Sequence, residues 1–207
     1  MARQCFATAR RTELFDVLVH LFLADGFAHL TLDDIAACLK CSKSTLYTLA
    51  DSKEQLVRAA TVHFFRRATE MVEARVAKVV GPRDRITTYL SAVGEALSVA
   101  SDRFMTDLDA FAPAREVYEK NTRIAARRVQ ELITEGVNVG EFRKVHAVFA
   151  ADLAATMMVR IQRGEVRSGT GLDDARAYRE LAAILTAGIS VSFRSTDVDL
   201  AVTRSSG

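Results

Sequence analysis

Residues 31–56, TLDDIAACLKCSKSTLYTLADSKEQL, constrain this chain more than any other stretch, because three helix-start signals follow one another there. Thr31 followed by Asp34 reads as a capping box, in which the hydroxyl accepts a free N–H of the first turn and the acid reaches back. The helix it opens carries Leu32, Ile35, Ala36 and Leu39 on one face, at a spacing near 3.6. Ser42 is a good N-cap for a second short helix, Lys43 to Leu49. Ser52 followed by Gln55 reads as another capping box and opens a third, longer helix. The pattern is two short helices joined by a tight turn, then a long one.

Leu46 and Leu49 must pack inward to hold the middle helix, which turns Lys43, Ser44, Thr45, Tyr47 and Thr48 outward. These are short hydroxyls, one cation and one phenol, with no acid among them. Such groups donate to phosphate oxygens and base edges. A helix-turn-helix with the second helix as the reading element fits them. Capped short helices with polar faces also occur as plain surface in all-helical proteins, and the pattern alone does not separate the two.

From Arg11 to Leu56 the chain resembles the N-terminal domain of TetR/AcrR-family transcriptional regulators. Arg11, Leu14, Phe15, Leu18, Leu21, Phe22, Gly26 and Phe27 follow the family's first helix. Thr31, Asp34, Ile35 and Ala36 follow its T-x-x-D-I-A, and Ser42, Lys43, Thr45, Leu46 and Tyr47 its S-K-x-T-L-Y. Ser52, Lys53, Glu54 and Leu56 follow its S-K-E-x-L. The resemblance implies DNA contacts at Thr31, Ser42, Lys43, Ser44, Thr45, Tyr47, Thr48 and Lys53, with Lys43 and Thr45 near base edges and Tyr47, Thr48, Thr31 and Lys53 on phosphates. Three positions depart from the family. Lys40 stands where a turn glycine is usual, at a cost of about 1 kcal/mol if the backbone is left-handed there. Leu49 and Ala50 replace an aromatic pair, and Asp51 replaces a proline.

Composition agrees with a helical reading. Two prolines and ten glycines in 207 residues, with 49% apolar and 26% charged residues, suit a helical globular protein. Net charge is only +2. Up to Lys53, Arg3, Arg10, Arg11, Lys40, Lys43 and Lys53 cancel Glu13, Asp16, Asp25, Asp33, Asp34 and Asp51, so any argument for DNA rests on local placement. An odd number of cysteines and no visible signal peptide suggest reducing cytoplasm. No apolar run approaches the roughly 18 residues of a membrane span. Cys38 and Cys41 form a lone C-x-x-C without the further ligands zinc needs, and read as small hydrophobes with Cys38 on the inward side.

The expected architecture is all-α, with about nine helices. Residues 9–53 form a three-helix helix-turn-helix head, 54–193 a helical ligand-binding and dimerisation domain, and 194–207 a flexible tail. Arg10 and Arg11, at the start of the first helix, are read equally as phosphate contacts or solvated charges. A long fourth helix joins the two domains, and Gly81-Pro82 punctuates its end. Residues 163–173 read as a Gly-rich loop. Phe64, Tyr89, Phe104, Met105, Phe111 and Met157 are candidate lining of an apolar pocket, with Asp152 the polar group to meet a ligand, although core packing is the competing role for each. Leu153, Met157, Tyr178, Leu181, Leu185, Gly188 and Ile189 on the last two long helices suit a four-helix dimer interface. No nucleophile–base set, paired catalytic carboxylates, metal cluster or phosphate loop is visible, so neither an enzyme nor a cofactor is expected. The reading is a homodimeric regulator that binds a near-palindromic double-stranded operator and answers a small-molecule effector, with no membrane partner. A helix-turn-helix adaptor that binds protein, or a regulator without an inducer, is the alternative.

Overall fold

The computed structural model describes residues 2–191, with side chains from Arg10 onward. The expected tail at 194–207 lies outside the described residues. Among the described residues there are ten helices and no strand beyond a single bridge between Phe142 and Ser190. None is long and apolar enough to cross a membrane.

Helix α1 (Ala2–Asp25) starts seven residues earlier than expected, since nothing before Thr8 breaks a helix. It ends at Gly26, whose φ of 75° favours glycine. A Cβ there would also lie 2.5 Å from a carboxylate oxygen of Asp107. Helices α2 (Leu32–Cys38) and α3 (Lys43–Tyr47) follow, then α4 (Lys53–Val76) and α5 (Pro82–Leu97). After α6 (Asp102–Ala110) come α7 (Ala112–Asn138) and α8 (Ala147–Gln162). The expected loop at 163–173 instead holds a short helix, α9 (Glu165–Thr170), bracketed by Gly164 and Gly171 in left-handed conformation. The last helix is α10 (Asp174–Ile189).

Two apolar cores meet along α4. The first gathers Leu14, Leu18 and Phe22 of α1, Ile35 of α2, Leu46 of α3 and Leu56, Val57 and Phe64 of α4. It also takes Phe104 and Leu108 from α6 and Tyr118 from α7. The second contains Val72 and Val76 at the far end of α4, with apolar residues of α5, α7, α8 and α10. At Gly94 of α5, a Cβ would come within 2.8 Å of the Tyr178 ring, so glycine permits the close approach of α5 and α10.

On α8 the apolar side chains split by size. Ala150, Ala151, Ala154, Ala155, Met158 and Ile161 are buried, whereas Val148, Phe149 and Leu153 are more than half exposed. On α10, Tyr178, Leu185 and Ile189 are buried inside the chain and are not available to a second copy. The helix phase turns Ile184 outward instead, at 69% exposed, together with Gly188. Leu181 and Met157 are half-buried between these two faces.

Candidate functional site

The head is built by its caps. Thr31 Oγ1 accepts the Asp34 N–H at 3.2 Å, while Asp34 Oδ2 accepts the Thr31 N–H at 2.8 Å. The Thr31 hydroxyl also donates to Asp34, and these bonds hold the Asp34 carboxyl below its ordinary range. Helix α2 ends in a two-bond terminal turn, with Cys41 N–H donating to Ala36 O and Lys40 N–H to Ala37 O. Lys40 occupies the left-handed position at φ 48°, the one non-glycine residue with positive φ among those described. Cys38 is exposed rather than inward, because Ile35, Ala36 and Leu39 already fill the buried face of α2; Cys41 is half-buried.

Ser42 caps α3 by accepting the Thr45 N–H at 3.2 Å, and its oxygen lies 2.7 Å from Ser44 Oγ and 2.9 Å from Thr45 Oγ1. These three hydroxyls form one cluster at the start of the helix. Lys43 pairs with Asp33 at 2.8 Å. Both side chains are more than half exposed, so water screens the pair and it exchanges readily for another partner. Tyr47 is half exposed, with Leu46 buried behind it. The Thr48 hydroxyl donates to Thr45 O at 2.6 Å.

Arg11 is neither free nor merely solvated. Its guanidinium donates to Thr48 O at 2.8 Å and Leu49 O at 3.0 Å, and lies over the Phe15 ring. A cation on the carbonyls at the end of α3 fixes that helix against α1. Lys53 Nζ donates to Ala28 O at 2.9 Å, so this expected phosphate donor is engaged by the turn after α1. At the start of α4, Gln55 N–H donates to Ser52 Oγ, while Gln55 Oε1 accepts from Asp51 rather than from Ser52, a shifted form of the expected box.

The second feature is an apolar cavity of about 160 Å³ between α4, α5, α7 and α8, open to solvent beside the exposed Ile124 and Arg127. Of the residues expected to line a pocket, Tyr89 does so. Phe64 and Phe104 belong to the core around α1–α3, where Phe27 packs edge-on against Phe104 and Phe111. Met105 lines a separate cleft of about 680 Å³ beside α6 and α9. Met157 packs against the second core, and Asp152 is exposed on the outer face of α8, one turn from Phe149. Aromatic and Met residues mark core as readily as cavity, which is why sequence periodicity misassigned them. The polar cavity residues Glu73, Tyr118, Asn121, Arg127, Arg128 and Gln162 were not foreseen. Their signal is a polar side chain in register with an apolar stripe, which a sequence shows only once the helix phases are known. Among the described residues, no cluster of three or more His, Cys, Asp or Glu is arranged to hold a metal.

A capped short helix with a polar outer face, held by a long helix that carries a separate cavity-bearing bundle, makes a helix-turn-helix head on an all-α body. Residues 14–60 match the family described as bacterial regulatory proteins, tetR family. That match covers the helix-turn-helix head of this chain and ends within the first turns of α4. HTH-type transcriptional regulators from two Mycobacterium tuberculosis strains are 36% identical to it over 111 residues, which cover 49% of this chain and 54% of theirs. The chain thus spans about half the length of these relatives. A TetR-family regulator from Cytophaga hutchinsonii superposes with TM-score 0.71 at 18% identity, covering 89% of this chain and 96% of that one. A transcriptional regulator from Saccharomonospora viridis, in complex with choline, superposes with TM-score 0.73 at 16% identity, covering 89% and 100%.

Proposed function

We propose that the chain is a DNA-binding transcriptional regulator, a repressor in the cytoplasm, that grips a near-palindromic operator as a homodimer and releases it when a small molecule enters the bundle. The observation that carries this reading is the α3 surface. Ser42, Lys43, Ser44, Thr45 and Tyr47 present donors on a helix whose far end Arg11 fixes. Lys43 and Thr45 are assigned to base edges. Tyr47, Thr48 and Thr31 are assigned to phosphates, and Lys53 joins them once it leaves Ala28 O. On this reading residues 9–53 form the head and 54–193 the bundle, although α6 contributes Phe104 and Leu108 to the core of the head.

The dimer surface is assigned to α8 and α10, with Val148, Phe149, Leu153 and Ile184 as its exposed apolar residues and Gly188 allowing close approach. The reading requires that two-fold pairing of this face set two copies of α3 one helical turn of DNA apart. The effector site is assigned to the cavity between α4, α5, α7 and α8. Choline, the ligand of the S. viridis regulator, does not carry over, because both cavity carboxylates are already bonded to Arg128.

The test is sedimentation of the free protein combined with fluorescence anisotropy on duplex DNA. The wild type sediments as a dimer and binds two chains per site. Ile184→Asp charges the exposed α10 face, yields a folded monomer and loses most of the affinity. A wild-type monomer indifferent to duplex DNA contradicts the reading and leaves a protein-binding adaptor in its place.

A further inference from the structure

We propose that the cavity takes a compact, ring-sized apolar molecule bearing one hydrogen-bond acceptor, and that the phenolic O–H of Tyr89 is the donor that selects it. The proposal rests on the effector reading above and narrows its chemistry.

Size is the first argument. A cavity of about 160 Å³ is close to the roughly 150 Å³ that accommodates one benzene ring in an apolar interior. The walls are largely apolar, including Phe65, Val72, Val93, Ala125 and Met158. The inner end is closed by a chain of hydrogen bonds. Tyr118 O–H donates to Gln162 Oε1, and Gln162 Nε2 donates to the Tyr178 hydroxyl at 2.7 Å. Tyr118 and Gln162 line both this cavity and the cleft beside α6 and α9, so they form the partition between them. While that partition holds, the inner end is closed and the apolar space fits one ring, with a short substituent directed to the open end beside Ile124 and Arg127.

Polarity is the second argument. Tyr89 is 94% buried by its 6% exposure, lines the cavity, and has no hydrogen-bond partner among the described residues. Among the described residues the one fully buried side-chain N or O without a partner is Arg85 Nε, so the Tyr89 oxygen opens onto free space, and at the cavity wall an acceptor on a ligand can meet it there. Burial pushes the phenol far above its ordinary value, so it remains a neutral donor across the physiological range. The lining carboxylates offer nothing to a cationic ligand. Glu73 accepts from Arg128 at 2.9 and 3.1 Å, and Glu131 accepts from the same guanidinium at 3.2 Å. Arg127 lines the cavity, is exposed, and has no ion pair among the described residues, so a carboxylate acceptor gains a second partner there.

The experiment is calorimetric titration of the full chain, without DNA, against acetophenone, benzoate, ethylbenzene and tetramethylammonium. Acetophenone or benzoate binds one per chain, and ethylbenzene binds about tenfold more weakly, the factor one hydrogen bond supplies. Tyr89→Phe reduces acetophenone affinity about tenfold and leaves ethylbenzene unchanged. Ala68→Leu, which fills the cavity, abolishes both with the helical circular dichroism intact. A neutral carbonyl is the acceptor if Arg127→Ala leaves benzoate and acetophenone alike, and a carboxylate is the acceptor if benzoate alone weakens. The proposal is overturned if tetramethylammonium binds better than the acceptors, if none of the four binds the folded wild type, or if Tyr89→Phe changes nothing. Because DNA is absent, these outcomes do not depend on the head. Acetophenone binding that leaves DNA affinity unchanged would instead contradict the effector reading alone.

Discussion

Asp107 Oδ2 accepts the backbone N–H of Phe27 at 2.6 Å, joining α6 of the bundle to the turn that leads into the helix-turn-helix. The same oxygen accepts the Ala28 N–H at 2.8 Å, and Ser101 N–H donates to Leu23 O at 2.8 Å. Lys53 grips the carbonyl of that turn from α4. The turn after α1 is therefore held from both α6 and α4, and α4 also lines the cavity. On the proposed reading, a shift of either helix on ligand entry would reach the segment that orients α2 and α3 through these bonds.

Asp107→Ala removes the acceptor of two N–H groups. The folded chain should lose about 1–2 kcal/mol, read from urea unfolding. An effector should then change DNA affinity by a smaller factor than in wild type. Unaltered stability would mean that water replaces the carboxylate at no cost.

Lys40→Gly should stabilise the chain by about 1 kcal/mol, because the φ of 48° is costly for any residue with a Cβ and the terminal turn of α2 needs only its backbone. The measurement is the midpoint of chemical denaturation, and a lower midpoint contradicts the account of this turn.

The two kinds of α3 contact should separate by mutation. Tyr47→Ala should weaken binding to all duplexes alike, whereas Lys43→Ala should also change base preference. Asp33→Asn should raise affinity for all duplexes several-fold, since it removes a negative charge beside the groove and frees Lys43 from its 2.8 Å pair. Binding curves on matched and scrambled sequences decide each case. Equal affinity of all three variants and wild type would remove these roles.

Alkaline pH should destabilise the fold before it affects the helical caps. Burial is the main reason that Tyr89 and Tyr178 are raised far above the ordinary phenol value, and that Tyr118 is pushed up to about 12. A raised folded-state value contributes stability that is complete below about pH 10 and is lost as pH rises towards 12 and beyond. Denaturation midpoints should thus be flat up to pH 9 and fall steeply above 10. Ultraviolet titration should show three of the four tyrosines ionising together with unfolding.

The caps were legible because they are local. Thr31, Ser42 and Ser52 each accept from the third residue beyond, as the sequence spacing predicts. Lys40 was legible as a non-glycine at a left-handed position for the same reason. The parts that depend on helix phase across the fold were not. Arg11 reaches the end of α3 across 37 residues of sequence, and Asp107 reaches Phe27 across 80. Periodicity grouped Leu153 with Tyr178 and Leu185, yet the first is exposed and the other two are core, because the phase of α10 turns Tyr178 and Leu185 inward, Tyr178 onto Gly94 of α5, and leaves Ile184 outside. Asp152 drew notice as a charge on an apolar helix, but alanines form the inward face of α8 and leave that carboxylate outside.

The most direct test of the central claim is an unbiased selection of duplex DNA on the purified protein at fixed salt, with the bound stoichiometry recorded. The account predicts enrichment of a near-palindromic motif bound by two chains or by two pairs, with half-sites about one helical turn apart. Weak, salt-sensitive binding without an enriched motif would contradict it, and would mean that the α3 surface no longer reads sequence.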